Sequence, residues 1–319
     1  MIFVDNYIKV VSLVGPTASG KTKLGVDLAK HFDGEIISAD SMQIYREMQI
    51  ATAKPTDSEM EGIPHHLMGF LPPDQAYSVA KFVEDASRCI EDIRRREKLP
   101  VIVGGTGLYV DSLLNHIRFN EEVRNEQLSY TLWQIYEQQG TDRLLQMLDE
   151  FDHPSVIRLQ GERNPKRIIR AIEFYKTTGI TMTEQIAQSQ TETSPYQPVK
   201  IGLNYRDREK LYERINQRVD NMMRLGLLEE AKGVLKQPLS YTAKMAIGYK
   251  ELAPYIHGEL DLETCIEKLK RETRRYAKRQ ITWFKRDLAI HWLYVDEYHS
   301  YHELFDAAAD IVKKGLLYG

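Results

Sequence analysis

Residues 15–22 read Gly-Pro-Thr-Ala-Ser-Gly-Lys-Thr, directly after an apolar, β-branched run over 9–14 and directly before a helical pattern over 21–32. The spacing G-x-x-x-x-G-K-[ST] in a strand–turn–helix context restricts this chain more than any other feature. Such a loop lets successive backbone N–H groups converge on phosphate oxygens, and the helix N-terminus behind it adds positive potential. Gly15, Pro16, Thr17, Ala18, Ser19, Gly20, Lys21 and Thr22 are therefore the expected contacts of a diphosphate or polyphosphate. Lys21 would supply a point charge and the Thr22 hydroxyl a ligand for Mg²⁺.

The rhythm around the loop predicts the rest of the core. A second short strand over 35–39 ends at Asp40, and a third apolar run over 100–103 leads into Gly104-Gly105 and another helical stretch. Alternating strands and helices of this kind build a parallel sheet covered on both faces. From about 120 to 198 the sequence turns polar and helical in period, with Asn164-Pro165 as an N-cap and a first-position proline. Residues 200–203 read as a return to the sheet, 207–235 as a long amphipathic helix broken near Gly226, 290–295 as a last strand and 301–317 as a closing helix. The expected fold is α/β, a P-loop NTPase-like parallel sheet flanked by helices, formed by 1–119 and 199–319, with a helical insertion at 120–198.

The 319 residues carry a net charge of −3, which by itself does not suggest a nucleic-acid partner. Between 268 and 286, however, nine Lys or Arg residues face a single acid, Glu272. Lys268, Arg271, Arg275 and Lys278 follow one another at helical spacing, and Arg163, Lys166, Arg167 and Arg170 crowd one side of the insertion. Two basic surfaces would suit a clamp on the phosphates of an RNA stem, although a charge run can equally be a solvated face. Tyr276, Trp283 and Phe284, interleaved with the first run, could stack on bases or pack in the core. Cys89 and Cys265 are isolated, so neither a zinc site nor a disulfide framework is expected. No apolar run of about 18 residues and no signal-peptide pattern is present, so a cytoplasmic protein without membrane contact is expected, a monomer for want of any indicated protein partner.

The loop holds a phosphate without saying which bond breaks. A nucleotide-hydrolysing machine needs an acid at the end of a later strand to hold the metal or its water. Here the strand over 100–103 ends in Gly104-Gly105-Thr106-Gly107. The carboxylate on offer is Asp40, at the end of the second strand, where general bases and metal ligands beside such loops are placed. Asp40-Ser41-Met42-Gln43 also satisfies a capping box, so Asp40 has a structural reading as well. A small-molecule or nucleotide kinase would need the same loop and acid but explains neither the insertion nor the basic runs. An RNA-binding module that uses nucleotide as a switch leaves Asp40 without a purpose.

GPTASGKT at 15–22, ISADSMQIY at 37–45, TAKP at 52–55, GGTGLY at 104–109 and KRQITWFK at 278–285 together resemble, in order, the signatures of tRNA dimethylallyltransferases. The resemblance runs from about residue 10 to 292. It implies transfer of a dimethylallyl group from dimethylallyl diphosphate to N6 of the adenine beside the anticodon of a tRNA, with Mg²⁺. It implies that 17–22 hold the donor's diphosphate and that Lys21, Thr22 and Asp40 are catalytic, Asp40 as general base. Asp40, Ser41, Met42 and Gln43 would contact the target adenine, and Thr106, Arg124 and the stretch Lys166, Arg167, Ile168, Ile169, Arg170 would contact tRNA. Arg208 and Arg214 match arginines near the diphosphate. AIGYK at 246–250 matches without a role that chemistry assigns. A zinc-finger extension of eukaryotic relatives is missing, which points to the bacterial type.

Overall fold

The computed structural model describes residues 7–117, 125–189 and 193–318. The chain divides into two compact units, one of 1–114 with 194–319 and the other of 115–193.

In the first unit, the β-branched runs become a six-stranded, all-parallel sheet. Its strands are β1 (Ile8–Val14), β2 (Gly34–Ser38), β3 (His65–His66), β4 (Leu99–Gly104), β5 (Tyr196–Asn204) and β6 (His291–Tyr294), in the spatial order β3-β2-β4-β1-β5-β6. β1 lies between β4 and β5, with Val14 opposite Gly104 on one side and Gly202 on the other. Its side chains alternate: Val11 and Leu13 join Leu24, Leu28 and Val312 on one face, while Val10 and Val14 join Phe82, Ile90 and Leu113 on the other. Helices α1 (Lys21–His31), α2 (Asp57–Met60), α3 (Val79–Arg95) and α4 (Gly107–Leu114) belong to the first half of the sheet. α3 shows the local logic. Ser78 caps it by accepting from the Lys81 N–H, and Phe82, Ala86, Ile90 and Ile93 form one buried stripe. Each of its large apolar side chains contributes about 1.5–3 kcal/mol by leaving water.

The second unit contains α5 (Glu126–Asp149), α6 (His153–Leu159), α7 (Pro165–Thr178) and α8 (Met182–Ser189). Gly140, at φ 74° and ψ −174°, interrupts α5 with a conformation open to glycine. Asn164 caps α7 through its side chain, with Pro165 in first position, and Gly179 ends it. Leu132, Leu144, Leu148, Leu159, Ile168 and Ile172 fill the core of the unit. The buried Asp152 caps α6 and also accepts from the backbone N–H and hydroxyl of Thr183, tying α6 to α8.

After β5, the long amphipathic stretch forms α9 (Arg208–Arg224) and α10 (Leu227–Val234), separated at Gly226 in a left-handed conformation. α11 (Tyr241–Lys244), α12 (Tyr249–Ile256), α13 (Leu262–Phe284) and α14 (Tyr301–Tyr318) complete the unit. Three details depart from the sequence reading. β5 starts at Tyr196, so a boundary at 198/199 would cut a strand that pairs with β1 from Tyr196 to Gly202. The edge strand β3, two residues long, carries no periodic pattern and was not expected. Residues 41–44 form turns rather than the first turn of a helix.

Glycines at the end of β4 and the start of α4 are set by close packing. A Cβ on Gly104 would lie 2.2 Å from the Ala39 carbonyl oxygen, and one on Gly107 would lie 2.2 Å from the Trp283 ring. Trp283 also donates its indole N–H to Asp111 at 2.6 Å, which fixes the ring against α4. Gly107→Ala should therefore cost about 1–3 kcal/mol of stability through overpacking. Urea denaturation checks this, and an unchanged midpoint would show that the indole can move aside.

Candidate active site

The C-terminal ends of parallel strands face one crevice, and four loops emerge there. The phosphate loop follows β1, Asp40 follows β2, Gly105–Gly107 follow β4, and Tyr205 follows β5.

The loop itself is held from several directions. Gly15 presses on β5 so closely that a Cβ would sit 2.3 Å from the Leu203 carbonyl oxygen. Ala18 adopts φ 64°, a left-handed conformation costing roughly 1–2 kcal/mol for a residue with a side chain. Its carbonyl accepts from Arg214 Nε at 3.2 Å. Thr17 donates its N–H to Gln280 Oε1 at 2.8 Å. Gly20, at φ 92°, turns the chain into α1, whose first residues are Lys21 and Thr22. Ser19 Oγ is buried without a hydrogen-bond partner among the described residues.

Lys21 Nζ donates to the Pro16 carbonyl at 2.6 Å. Burial, and secondly the Arg218 guanidinium, lower the pKa of its ammonium to about 7, against an opposing pull from Asp40. Burial likewise lowers Arg218, again opposed by Asp40. Lys21 and Arg218 therefore lie near one another in a half-buried place where Asp40, and for Arg218 also Glu59, only partly offset their charge. An anion would relieve it.

Arg218 was missed in the sequence, while Arg208 was expected here. Arg208 lies exposed in the first turn of α9 and makes no hydrogen bond to the loop among the described residues. The reason is helical geometry. Arg208 and Arg214, six residues apart, are offset by about 120° around the axis, whereas Arg214 and Arg218, four apart, share a face.

Asp40 sits in an Asx turn. Its Oδ1 accepts from the N–H of Met42 at 2.9 Å and of Gln43 at 3.3 Å, and Oδ2 has no hydrogen-bond partner among the described residues. Half of the capping-box expectation is thus replaced: Asp40 binds the following amides, but the Gln43 side chain does not reach back. Gln43 Oε1 instead accepts from Ser38 Oγ at 3.0 Å, and its Nε2 points to the carbonyls of Thr52 and Ala53 at 3.3 and 3.4 Å. Met42 packs against the core. Ser41 donates its N–H to Thr106 Oγ1 at 3.1 Å, and the Thr106 N–H reaches the Ala39 carbonyl. Thr106 therefore braces the Asp40 turn.

The TAKP and AIGYK segments brace the same turn from behind. Lys54 Nζ donates to the Tyr45 carbonyl at 2.6 Å. The Glu230 carboxylate accepts from three consecutive amides, Gln49, Ile50 and Ala51, at 2.7–2.9 Å, and from the Tyr249 hydroxyl at 2.9 Å. Gly248 lies against Ala51, where a Cβ would approach to 3.3 Å.

α13 forms a further wall. Gln280 bridges two loops by accepting from Thr17 and donating Nε2 to the Gly105 carbonyl at 2.9 Å. Tyr276 is half-buried with its hydroxyl facing Thr106 and Gln280; burial first, and then Asp40, push its pKa well up, so it stays neutral. Phe284 is core and Trp283 packs on Gly107, so of the three aromatic residues only Tyr276 faces the site. On the outer face, Arg271, Arg275 and Lys278 are exposed, with Arg275 paired to Glu272 at 2.7 Å.

Within the second unit, Lys166 and Arg167 are exposed and Arg170 is half-buried beside Glu173. Arg167 pairs with Glu162, and Arg163 with Asp142 at 2.8 Å. Ile168 and Ile169 correct the expectation: both are buried in the unit's own core, so their side chains pack and are not offered to RNA. Arg124 lies outside the described residues.

A family model described as IPP transferase matches residues 43–287, and one described as isopentenyl transferase matches 8–69. The tRNA dimethylallyltransferase of a Thermoanaerobacter species is 47% identical over 302 residues, which is 93% of this chain and 95% of that one. The crystal structure of the tRNA isopentenylpyrophosphate transferase from Bacillus halodurans aligns with a TM-score of 0.70 and 39% identity over 97% of this chain and 98% of that one. A eukaryotic dimethylallyltransferase solved acting on tRNA aligns with a TM-score of 0.77 and 29% identity over 96% of this chain and 80% of that one. With a family model across most of its length and relatives of this identity and coverage, the chain belongs to the tRNA dimethylallyltransferase family, in its bacterial form.

Proposed function

We propose that the protein transfers a dimethylallyl group from dimethylallyl diphosphate to N6 of the adenine beside the anticodon in tRNA, releasing diphosphate. The observation that carries this is the placement of Asp40 beside Lys21 and Arg218. One carboxylate with a free oxygen stands at the edge of a cationic phosphate cradle. The N6 lone pair is delocalised into the purine, so the amine needs a base as it attacks. N6 bonds to C1 of the donor, the C1–O bond breaks with its electron pair leaving on the diphosphate, and the N6 proton passes to Asp40 Oδ2. Lys21, Arg218, Arg214 and the loop amides receive the charge that develops on the leaving group.

Thr22, in the first turn of α1, has a hydroxyl that makes no hydrogen bond among the described residues and would be the side chain that holds Mg²⁺, a hard cation that takes oxygen ligands. Mg²⁺ supplies further neutralisation of the departing diphosphate when bound. The adenine leaves the anticodon-loop stack to reach Asp40, because the carboxylate is recessed at a strand end. Arg271 and Lys278 on α13, with Lys166 and Arg167 on α7, suit phosphate contacts that position the tRNA without reading its sequence.

The direct test is incubation with Mg²⁺, labelled dimethylallyl diphosphate and unmodified tRNA, followed by nucleoside analysis. Label should appear on an adenine beside the anticodon, and Asp40→Asn should lower the rate on the order of 10²- to 10⁴-fold while still binding tRNA. Phosphate transfer from ATP with no prenyl transfer would make the protein a kinase.

Lys21 gives a second test. Burial lowers the pKa of its ammonium to about 7 in the free protein, and an adjacent diphosphate raises that value. At pH 8 donor binding should take up close to one proton, and near pH 6, where Lys21 is already charged, about none. Calorimetry in buffers of different ionisation enthalpy measures this, and absence of uptake at pH 8 would contradict it.

Arg271→Gln with Lys278→Gln should flatten the salt dependence of tRNA binding by about two units of log K against log salt. An unchanged slope would place the RNA elsewhere.

A further inference from the structure

Gln280 lies inside the most basic stretch of the chain, yet it is only 5% exposed and both ends of its amide are engaged. Its Oε1 takes the Thr17 N–H of the phosphate loop, and its Nε2 reaches the carbonyl of Gly105 in the loop after β4. The contact is so close that a Cβ on Gly105 would fall 2.1 Å from Nε2, so glycine at this position is a condition of the bridge. From Gly105 the hydrogen bonds continue. The next residue, Thr106, accepts from the Ser41 N–H and donates its own N–H to the Ala39 carbonyl, and these two residues flank Asp40. The path thus runs from the loop that holds the donor's leaving group to the turn that holds the acceptor's base.

We infer that Gln280 is a positioning residue that sets the separation between the diphosphate cradle and the Asp40 turn, and so the alignment of N6, C1 and the leaving oxygen. The inference rests on the assignment of donor and base made above. Parallel strands bring the two loops to the same side of the sheet, but the sheet alone leaves their tips free to drift apart. Displacement between reactants is heavily penalised in a two-substrate transfer, since a misplacement of about 1 Å costs on the order of 100-fold in rate. Each substrate meets its own half of the site whether or not the halves are in register, so the bridge acts on turnover far more than on binding.

The test uses the full chain. Gln280→Met preserves the length of the side chain and removes both hydrogen bonds. Single-turnover prenyl transfer at saturating tRNA and dimethylallyl diphosphate should fall on the order of 100-fold. The dissociation constants of tRNA and of a non-transferring thio analogue of the donor should change far less. An unchanged rate overturns the inference. So does a rate loss matched by an equal loss of donor affinity, which would reduce Gln280 to part of the diphosphate cradle.

Gln280→Glu provides an independent reading should the Met variant fail to fold. Its ionised carboxylate would set an oxygen against the Gly105 carbonyl, whereas its protonated form donates there and accepts from Thr17. Burial raises the pKa of such a carboxyl. The rate relative to wild type should therefore climb at least about tenfold as the pH falls from about 8.5 to 6, one pH unit of titration being worth a factor of ten. A flat ratio contradicts the role. Asp40→Asn measured in parallel separates the two failures: if it stays active, the assignment of the base is wrong, and if it is inactive while Gln280→Met is fully active, only the bridge is.

Discussion

The hydrogen-bonded link from Thr17 through Gln280 to Gly105 is the constraint on which the arrangement of the site depends. A parallel sheet delivers its loops to one edge but does not tie them together. Gln280 ties two of them from a helix more than 170 residues downstream of the nearer one. Several residue choices follow. Gly105 has no room for a side chain beneath the amide, Gly104 none beside Ala39, and Gly107 none beneath Trp283. The glycines that replace the acid of a nucleotide-hydrolysing machine are thus the space through which α13 reaches the sheet.

Electrostatics complete the picture. Lys21 and Arg218 are half-buried and close enough to feel one another, at a cost visible in the depressed pKa of both, and the charge of Asp40 opposes that cost at each. Such an imbalance favours a ligand bearing several negative charges, and favours it more as charge accumulates on a leaving group. Asp40 is poised differently. Two amides hold one of its oxygens and leave the other for a proton. The proposed site therefore sets a carboxylate and a cationic loop side by side, as alkyl transfer to a weak amine requires.

Much of this was legible in the sequence and some of it could not have been. The phosphate loop, the strand ending at Asp40, the glycine run after β4 and the break at Gly226 are local signals, and each lies where its pattern placed it. Gln280, Glu230 and Arg218 were not readable, because each acts across the fold. A buried glutamine among lysines and arginines looks like any solvated residue of a charged helix. Glu230 resembles an ordinary acid in the first turn of α10, although its carboxylate organises three amides of a distant loop. Arg208 and Arg218 differ only in helical phase relative to Arg214. Ile168 and Ile169 stand inside a basic stretch, but their apolar character alone points to the core of the second unit, where both are buried. The Asp40 turn mimics a capping box in sequence, and only the carbonyls of Thr52 and Ala53 show why Gln43 turns away.

The most direct measurement is a crystal structure with an anticodon stem-loop and a non-transferring analogue of dimethylallyl diphosphate bound together. The account predicts the target adenine out of its stack, N6 within about 2.6–3.2 Å of Asp40 Oδ2, and C1 between N6 and a diphosphate seated on the loop at 15–22. An adenine whose N6 faces away from Asp40, or a diphosphate bound outside that loop, would contradict it.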